Sequence, residues 1–500
     1  MIIRYVFRLN LPQGGVLMRD MVLVLNFDNT ASRAVTRKLR SERIFCKIMP
    51  GNISLEDIQA QEPLGLLLAG GVTGETPSGL DARIPSAGIP TLALGDASAL
   101  LLECLGGEAG EPVMQGAVIE LHYQESDLLR EVENGERLLP CARELRLPPE
   151  VKPLCHAQET VIGFAHENQP LYGIQFEVEQ NDPEGAMILR NFAFNICGCT
   201  AWWDEEAFVS RATEEISRLT GEGRALCAMT GGLDSGVCAM LAHKALGDRL
   251  KCVFVDTGLL REREGDDFIA YYRDRMGMDI LRINAGGRFL DALKGVTDAG
   301  EKRRVIGETI RRILQEEEAK LGEFKTVIRG VSCNDRMFGN VFSAPSVGAD
   351  AIPIEPVRDL FKEEIRGIAD FLGMPQEIIS RQPFPGSGLA LRILGEVTED
   401  RLRTLRAADA IFRGELVRSS AAKRLWQFFA VLLPLPDSQR ECVICLRAVQ
   451  ASDRSQAYAA RLPYDVMENV VDLIQRDLPQ VRRVVYDLTP SANYSGVEWQ

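Results

Sequence analysis

Short apolar runs that end in glycine or a polar turn alternate with amphipathic stretches from Met21 to about Cys199: "MVLVLNF", "IFCKIM", "LGLLLAGG", "IPTLALG", "AVIELHY" and "PLYGIQFEVE", with a helical pattern over Ser32–Ser41. Brief apolar runs bounded by turn residues read as strands, and their alternation with helices predicts a doubly wound α/β domain. Within it, "IPTLALGDASALLLECLGG" (Ile89–Gly107) predicts a buried strand over Thr91–Leu94 that breaks at Gly95-Asp96 into an apolar helix. Turns of that kind are where α/β proteins place nucleophiles and anion sites.

A polar helical stretch, "DEEAFVSRATEEISRLTGEG", leads to a second α/β block. It opens with a strand over Ala225–Thr230, a glycine turn, a helix over Val237–Leu246 and a strand over Leu250–Asp256, and runs to about Arg392. From Glu396 an α+β pattern follows: helix "TEDRLRTLRAADAIFRGEL", strand "ECVICLRAV", helix "PYDVMENVVDLIQRDL" and strand "RRVVYDLT". No internal repeat or low-complexity tract interrupts this order. The pattern divides into an extension over 1–20 and domains over 21–200, 201–392 and 393–500.

Five hundred residues, 46% of them hydrophobic, are too many for one core and fit two to four domains. A net charge of −14 without a long Lys/Arg run argues against a nucleic-acid binder. The first twenty residues carry Arg4 and Arg8 inside a broken apolar run, poor for a signal peptide and too short for a membrane span, and Met18 or Met21 would begin a cleaner domain. Twelve cysteines without framework spacing point to a reducing cytoplasm. Cys442-x-x-Cys445 lies in an apolar strand and Cys197-x-Cys199 at a helix end, and the four histidines are scattered, so a metal centre is not expected.

"TGGLDSG" (Thr230–Gly236) carries the chemistry of the second block. Gly231 and Gly232 let backbone N–H groups approach an anion, the following helix N-terminus adds positive potential, and Thr230 and Ser235 supply hydroxyls. The Gly-Lys-Ser/Thr ending of a Walker loop is absent. The alternative is a tight turn with Asp234 or Ser235 capping the helix.

The loop resembles the PP-loop "SGGxDS" of ATP pyrophosphatases, and "TGGLDSG…KCVFVDTGLLREREGD" closely resembles that of the GMP synthase family. The likeness continues through "GRFLDALKGVTDAGEKRRVIGE", "IEPVRDLFKEEIR", "RQPFPGSGLALRILGEV", "WQFFAVLLP", "ARLPYDVMENV" and "RRVVYDLT…VEWQ", spanning about Met21 to Gln500. The resemblance implies a class I glutamine amidotransferase-like domain, a PP-loop ATP pyrophosphatase domain and a small C-terminal dimerisation domain, hence a homodimer. It implies that ATP with Mg2+ adenylates XMP and that ammonia displaces AMP to give GMP. Carried onto this chain, Thr230, Gly231, Gly232, Leu233, Asp234, Ser235 and Gly236 would cradle the pyrophosphate, Val255 would lie beside the adenine, and Arg303, Arg381 and Glu498 would meet the acceptor nucleotide. Thr230 and Gly236 each replace a family Ser. A structural salt bridge is the other reading of Arg381.

The chain departs from the family where glutamine would be hydrolysed. The family's "PVLGICYG" aligns with "PTLALGDA", placing Gly95 at the cysteine position, and "YGVQFHPE" becomes "YGIQFEVE", placing Glu177 at the histidine position while Glu179 matches. Loss of a nucleophile that works as part of a unit costs on the order of 10⁶ in kcat. Neither Asp96 nor Ser98 replaces it, since Ser98 lacks a base and a carboxylate attacks amides poorly. "LAGGV" keeps the glycines Gly70 and Gly71 of the oxyanion region. On the acceptor side, Arg329–Asp350 lacks the lid Lys and His of the family, and the tail "TPSANYSGVEWQ" lacks its Lys. Three readings follow: a GMP synthase fed by free ammonia or a separate glutaminase, a paralogue that adenylates another acceptor, or a non-catalytic nucleotide-binding dimer.

Overall fold

The computed structural model describes residues 20–176, 178, 183–337, 351–382, 384, 386–435, 441–451 and 457–490. The chain divides into two compact units that meet at Arg211/Ala212.

The first unit is built on one nine-stranded sheet: β1 (Val22–Asn26), β2 (Cys46–Pro50), β3 (Gly65–Ala69), β4 (Thr91–Leu94), β5 (Glu108–Tyr123), β6 (Gly135–Arg146), β7 (Val151–Ala157), β8 (Thr160–His166) and β9 (Leu171–Ile174), in the order β2-β1-β3-β4-β9-β8-β7-β5-β6. The half from β2 to β9 is parallel, and its central strands are buried throughout, as strands covered by helices on both faces must be. From β9 onward every pairing is antiparallel. The sheet is therefore mixed: a parallel α/β half, as the strand–helix alternation predicts, is extended by antiparallel strands that the pattern does not mark. Strand β6 alternates exposed charged and buried apolar positions because one face meets solvent, so it lacks the apolar run that marks a buried strand.

The second unit carries five parallel strands, β10 (Ala225–Met229), β11 (Leu250–Asp256), β12 (Ile280–Asn284), β13 (Thr326–Ile328) and β14 (Ile352–Ile354), ordered β12-β11-β10-β13-β14. The strand order reverses at β10, and in open α/β sheets ligands bind beyond the carboxyl ends of the strands at such a point. A further sheet joins β15 (Gln427–Pro434), β16 (Cys442–Ala451), β17 (Ala457–Ala459) and β18 (Val481–Tyr486). One apolar core runs from Leu259 and Phe289 through Ile306, Leu405 and Phe412 to Leu432, Ile444 and Val481, so this sheet and the parallel one share their packing. Among the described residues no helix is long and apolar enough to cross a membrane.

Candidate functional site

In the first unit the ends of β3, β4 and β9 lie side by side, and Gly95 leaves β4 with φ +59° and ψ −137°. Only glycine adopts this region without strain. The turn is held from one side by the Gly95 N–H, which donates to the Ile174 carbonyl at 2.9 Å. From the other side it is closed by the chain itself. A Cβ placed on Gly95 would stand 2.3 Å from the Gly71 carbonyl oxygen and 2.7 Å from that of Gly70.

Asp96, Thr73, Gly74 and Ser98 spend their polar groups within the chain. The Asp96 N–H donates to the Gly71 carbonyl at 2.7 Å. The Asp96 carboxylate accepts from the Thr73 N–H (2.7 Å), the Thr73 hydroxyl (2.9 Å) and the Gly74 N–H (3.1 Å). Ser98 is fully buried, and its hydroxyl donates to the Gly95 carbonyl at 2.7 Å, so it caps the turn and is not aimed outward. One thiol that sequence reasoning does not single out stands close: a Cβ on Gly74 would meet Cys141 Sγ at 2.7 Å. Burial and then the Asp96 charge push that thiol up in pKa, opposite to what a nucleophile needs. Glu177 and Glu179 lie outside the described residues.

In the second unit the loop Thr230–Gly232 follows β10 at the reversal of strand order. The helix after it, Leu233–Leu246, begins four residues earlier than the sequence pattern indicates, with Gly232 as its cap and no side chain in the capping role. Asp234 and Ser235 therefore sit in the first turn, and neither is the cap. The Ser235 hydroxyl donates to the Gly232 carbonyl at 3.1 Å and accepts from the Thr230 N–H at 3.2 Å, which folds the loop onto the helix start. Gly231 holds φ +80°. Gly330, beyond β13, passes so close that a Cβ there would lie 2.6 Å from the Ser235 nitrogen. The result is a helix N-terminus ringed by backbone N–H groups and hydroxyls, suited to an anion. At Gly236 an added Cβ would fall 2.1 Å from the Tyr272 hydroxyl, so a phenol occupies the volume that the family's second serine would need.

Two cations flank the loop. Lys362 opens the helix Lys362–Phe371 and forms an ion pair with the Asp234 carboxylate. The other oxygen of that carboxylate is buried without a hydrogen-bond partner among the described residues. Burial pushes the Asp234 pKa up, and Lys362 opposes the shift. Arg381 donates to the Gly231 carbonyl at 2.8 Å and pairs with Glu264. Burial, then Arg261 and Arg413, bring its pKa down to about 10. Arg381 thus holds the loop Thr230–Gly232 through the Gly231 carbonyl. Lys362 lies in "IEPVRDLFKEEIR", but its pairing with Asp234 spans 128 positions, so no local pattern marks it.

The other candidates are dispersed. Val255 is the penultimate residue of β11, half-buried against the core, and the neighbouring Phe254 lies 3.7 Å from a Cβ built on Gly231. Arg303 lies half-buried on the helix Ala299–Leu321, beside the fully buried Lys302. Glu498 and most of Arg329–Asp350 lie outside the described residues. Within the described part, Asp335 accepts from the Ser332 N–H at 2.9 Å and Arg336 pairs with Asp359 at 3.0 Å. Cys442 and Cys445 are buried thiols with pKa pushed up to about 11, and among the described residues no group of three His, Cys, Asp or Glu could hold a metal ion.

Comparison with known proteins bears on both units. The family described as GMP synthase C terminal domain matches residues 414–499. Over 511 residues the chain is 36% identical to a GMP synthase (glutamine-hydrolyzing) of Clostridium perfringens, covering 97% of this chain and 100% of that protein. A Clostridium acetobutylicum protein of the same name is 34% identical over 509 residues, covering 96% and 100%. Among solved structures, an NMN synthetase from Francisella tularensis covers 37% of this chain and 78% of its own, with 17% identity and a TM-score of 0.31.

Proposed function

Because the chain belongs to the GMP synthase family, we propose that it is an ATP-dependent carbon–nitrogen ligase that converts XMP to GMP with ammonia, releasing AMP and pyrophosphate, and that its own first unit does not hydrolyse glutamine. The observation that carries the ligase half is the loop Thr230–Gly236 at the reversal of strand order, with Lys362 on Asp234 and Arg381 on the Gly231 carbonyl. In this reading Gly231, Gly232, Leu233 and Ser235 present N–H groups, and Thr230 and Ser235 hydroxyls, to the β- and γ-phosphates of ATP, while Gly236 closes the first helical turn by donating its N–H to the Gly232 carbonyl. Lys362 swings from Asp234 to the departing pyrophosphate. Val255 borders the adenine, and Arg303 and Glu498 reach the acceptor. Arg381 acts by holding the loop.

The free oxygen of Asp234 fits Mg2+, which takes one or two carboxylate oxygens and fills its remaining positions with phosphate and water. Asp234 would hold it, and the ion would neutralise charge on the phosphates when bound. The C-terminal segment 393–500 would pair two copies into a homodimer, and free ammonia or a separate glutaminase would supply nitrogen. Twelve free cysteines suit work in a reducing cytoplasm.

The glutaminase half rests on the closed turn at Gly95. There is no thiol at that position, no room for one, and no vacant N–H donor on Asp96. A second reading, a paralogue that adenylates another acceptor, is favoured by the absence of the lid and tail lysines. One experiment separates them: ATP, Mg2+ and ammonium are supplied with XMP, and GMP and pyrophosphate are measured. Both products should form in equal amounts, and glutamine should not replace ammonium. No turnover with XMP over a wide ammonium range would sink the first reading, and pyrophosphate release with another nucleotide would select the second.

A further inference from the structure

Behind the segment that carries Arg381, three more arginines gather around one carboxylate. Arg261 Nε lies 3.8 Å, Arg392 Nη1 3.6 Å and Arg413 Nη1 3.9 Å from an oxygen of Asp409. These separations are too long for hydrogen bonds. Asp409 spends one oxygen on the Ala430 N–H at 3.0 Å. Arg392 is 0% and Arg261 7% exposed, and all three nitrogens of each guanidinium lack a hydrogen-bond partner among the described residues. Phe384 covers the face of Arg261 at 4.1 Å and Phe429 that of Arg392 at 4.2 Å. Aromatic contact of this kind serves the flat face of a guanidinium and leaves its N–H edges without acceptors.

The charges do not balance. Among the described residues, Arg261, Arg381, Arg392 and Arg413 are met by Asp409 and Glu264, four cations against two anions. Burying an uncompensated charge is among the most destabilising things a fold can contain, and unpartnered buried donors signal an ion or water that completes them. Guanidinium edges converging from different elements form the donor set that binds tetrahedral oxyanions.

We propose that Arg261, Arg392 and Arg413, gathered around Asp409, form a buried site for a phosphate-class anion, separate from the phosphate loop. The anion completes the charge balance of the core that joins the parallel sheet to the C-terminal sheet.

The test is thermal unfolding of the full-length chain in inorganic phosphate or chloride at matched ionic strength. Phosphate should raise the midpoint saturably and chloride should not. Arg413→Gln changes a partly exposed side chain and should fold, and it should weaken the apparent phosphate affinity about tenfold or more. Asp409→Asn removes the competing carboxylate and should tighten it. A parallel titration with XMP distinguishes a free ion from a phosphate carried on a nucleotide, provided that its response also falls in Arg413→Gln. Equal responses to phosphate and chloride overturn the proposal. So does a phosphate response that survives Arg413→Gln and vanishes in Lys362→Met, because that anion would be seated at the phosphate loop. Loss of ATP protection in Lys362→Met reports on the ATP site alone.

Discussion

Asp96 and Thr73 are locked together: the carboxylate of one accepts both the backbone N–H and the hydroxyl of the other, at 2.7 and 2.9 Å. The Asp96 N–H in turn donates to the Gly71 carbonyl, so Asp96 is tied to the loop after β3 by both its backbone and its side chain. No thiol stands at Gly95, and the Gly70 and Gly71 carbonyl oxygens occupy the space that a side chain there would need.

Restoring the thiol should fail. Gly95→Cys places a side chain at φ +59° against two carbonyl oxygens, which costs about 1–3 kcal/mol in backbone strain before the steric clash is counted. The expected result is a lowered melting temperature and no glutamate released from glutamine. Measurable glutaminase activity in this variant would show that the turn opens.

Asp96→Ala should loosen the loop after β3. It leaves the Thr73 and Gly74 N–H groups without their acceptor, worth about 1 kcal/mol given their partial exposure. Faster amide exchange at these positions is the direct readout, with ammonia-dependent GMP formation unchanged.

Lys362→Met should weaken ATP. Loss of one charged hydrogen bond amounts to about ten- to a hundredfold in affinity, measured by calorimetry with ATP and Mg2+. Unaltered ATP affinity would remove Lys362 from the proposed site.

Gly236→Ser should destabilise the second unit, since its Cβ would strike the Tyr272 hydroxyl. Combining it with Tyr272→Phe, which removes that oxygen, should recover part of the loss. The two changes should thus be non-additive in a double-mutant cycle, and strict additivity would mean that the contact is unimportant.

Lys302 gives a pH signature. It is fully buried, donates to the Ile393 carbonyl at 2.6 Å, and has its pKa lowered to about 8, by burial first and then by Arg401. Between about 8 and its unfolded value near 10.4 the unfolded chain binds more protons than the folded one, so stability rises with pH across that window. Compared with Lys302→Met, the native chain should gain a few kcal/mol between about pH 8 and 10.5. A flat difference would mean that the ammonium is not penalised by its surroundings.

Legibility in the sequence follows the apolar runs. Leu66–Leu68 and Val253–Phe254 announce strands because both of their faces are buried. Strand β6 does not announce itself, because Glu136, Glu144 and Arg146 interrupt the run on its open face and Arg137, on the covered face, is a charge that pairs with Glu184; β7 mixes exposed and buried positions in the same way. The helix start at Leu233 is hidden by glycine, Asp and Ser, which signal turns wherever packing does not override them. At the candidate site the loop is readable as local chemistry. Its neighbours are not, because Lys362 reaches Asp234, and Tyr272 fills the space beside Gly236, through contacts that no short window contains.

The apolar core that runs from Leu259 to Val481 implies cooperativity. Strands β15, β16 and β18 contribute Leu432, Ile444 and Val481 to the same packed interior as Phe289 and Ile306, near the end of β12 and on the long helix that follows. Heat or denaturant cannot dissolve one without stripping apolar surface from the other. A probe near Phe412 and the protection afforded by ATP should therefore be lost in a single transition, and shortening the chain at about residue 392 would leave the nucleotide loop on an unfinished core.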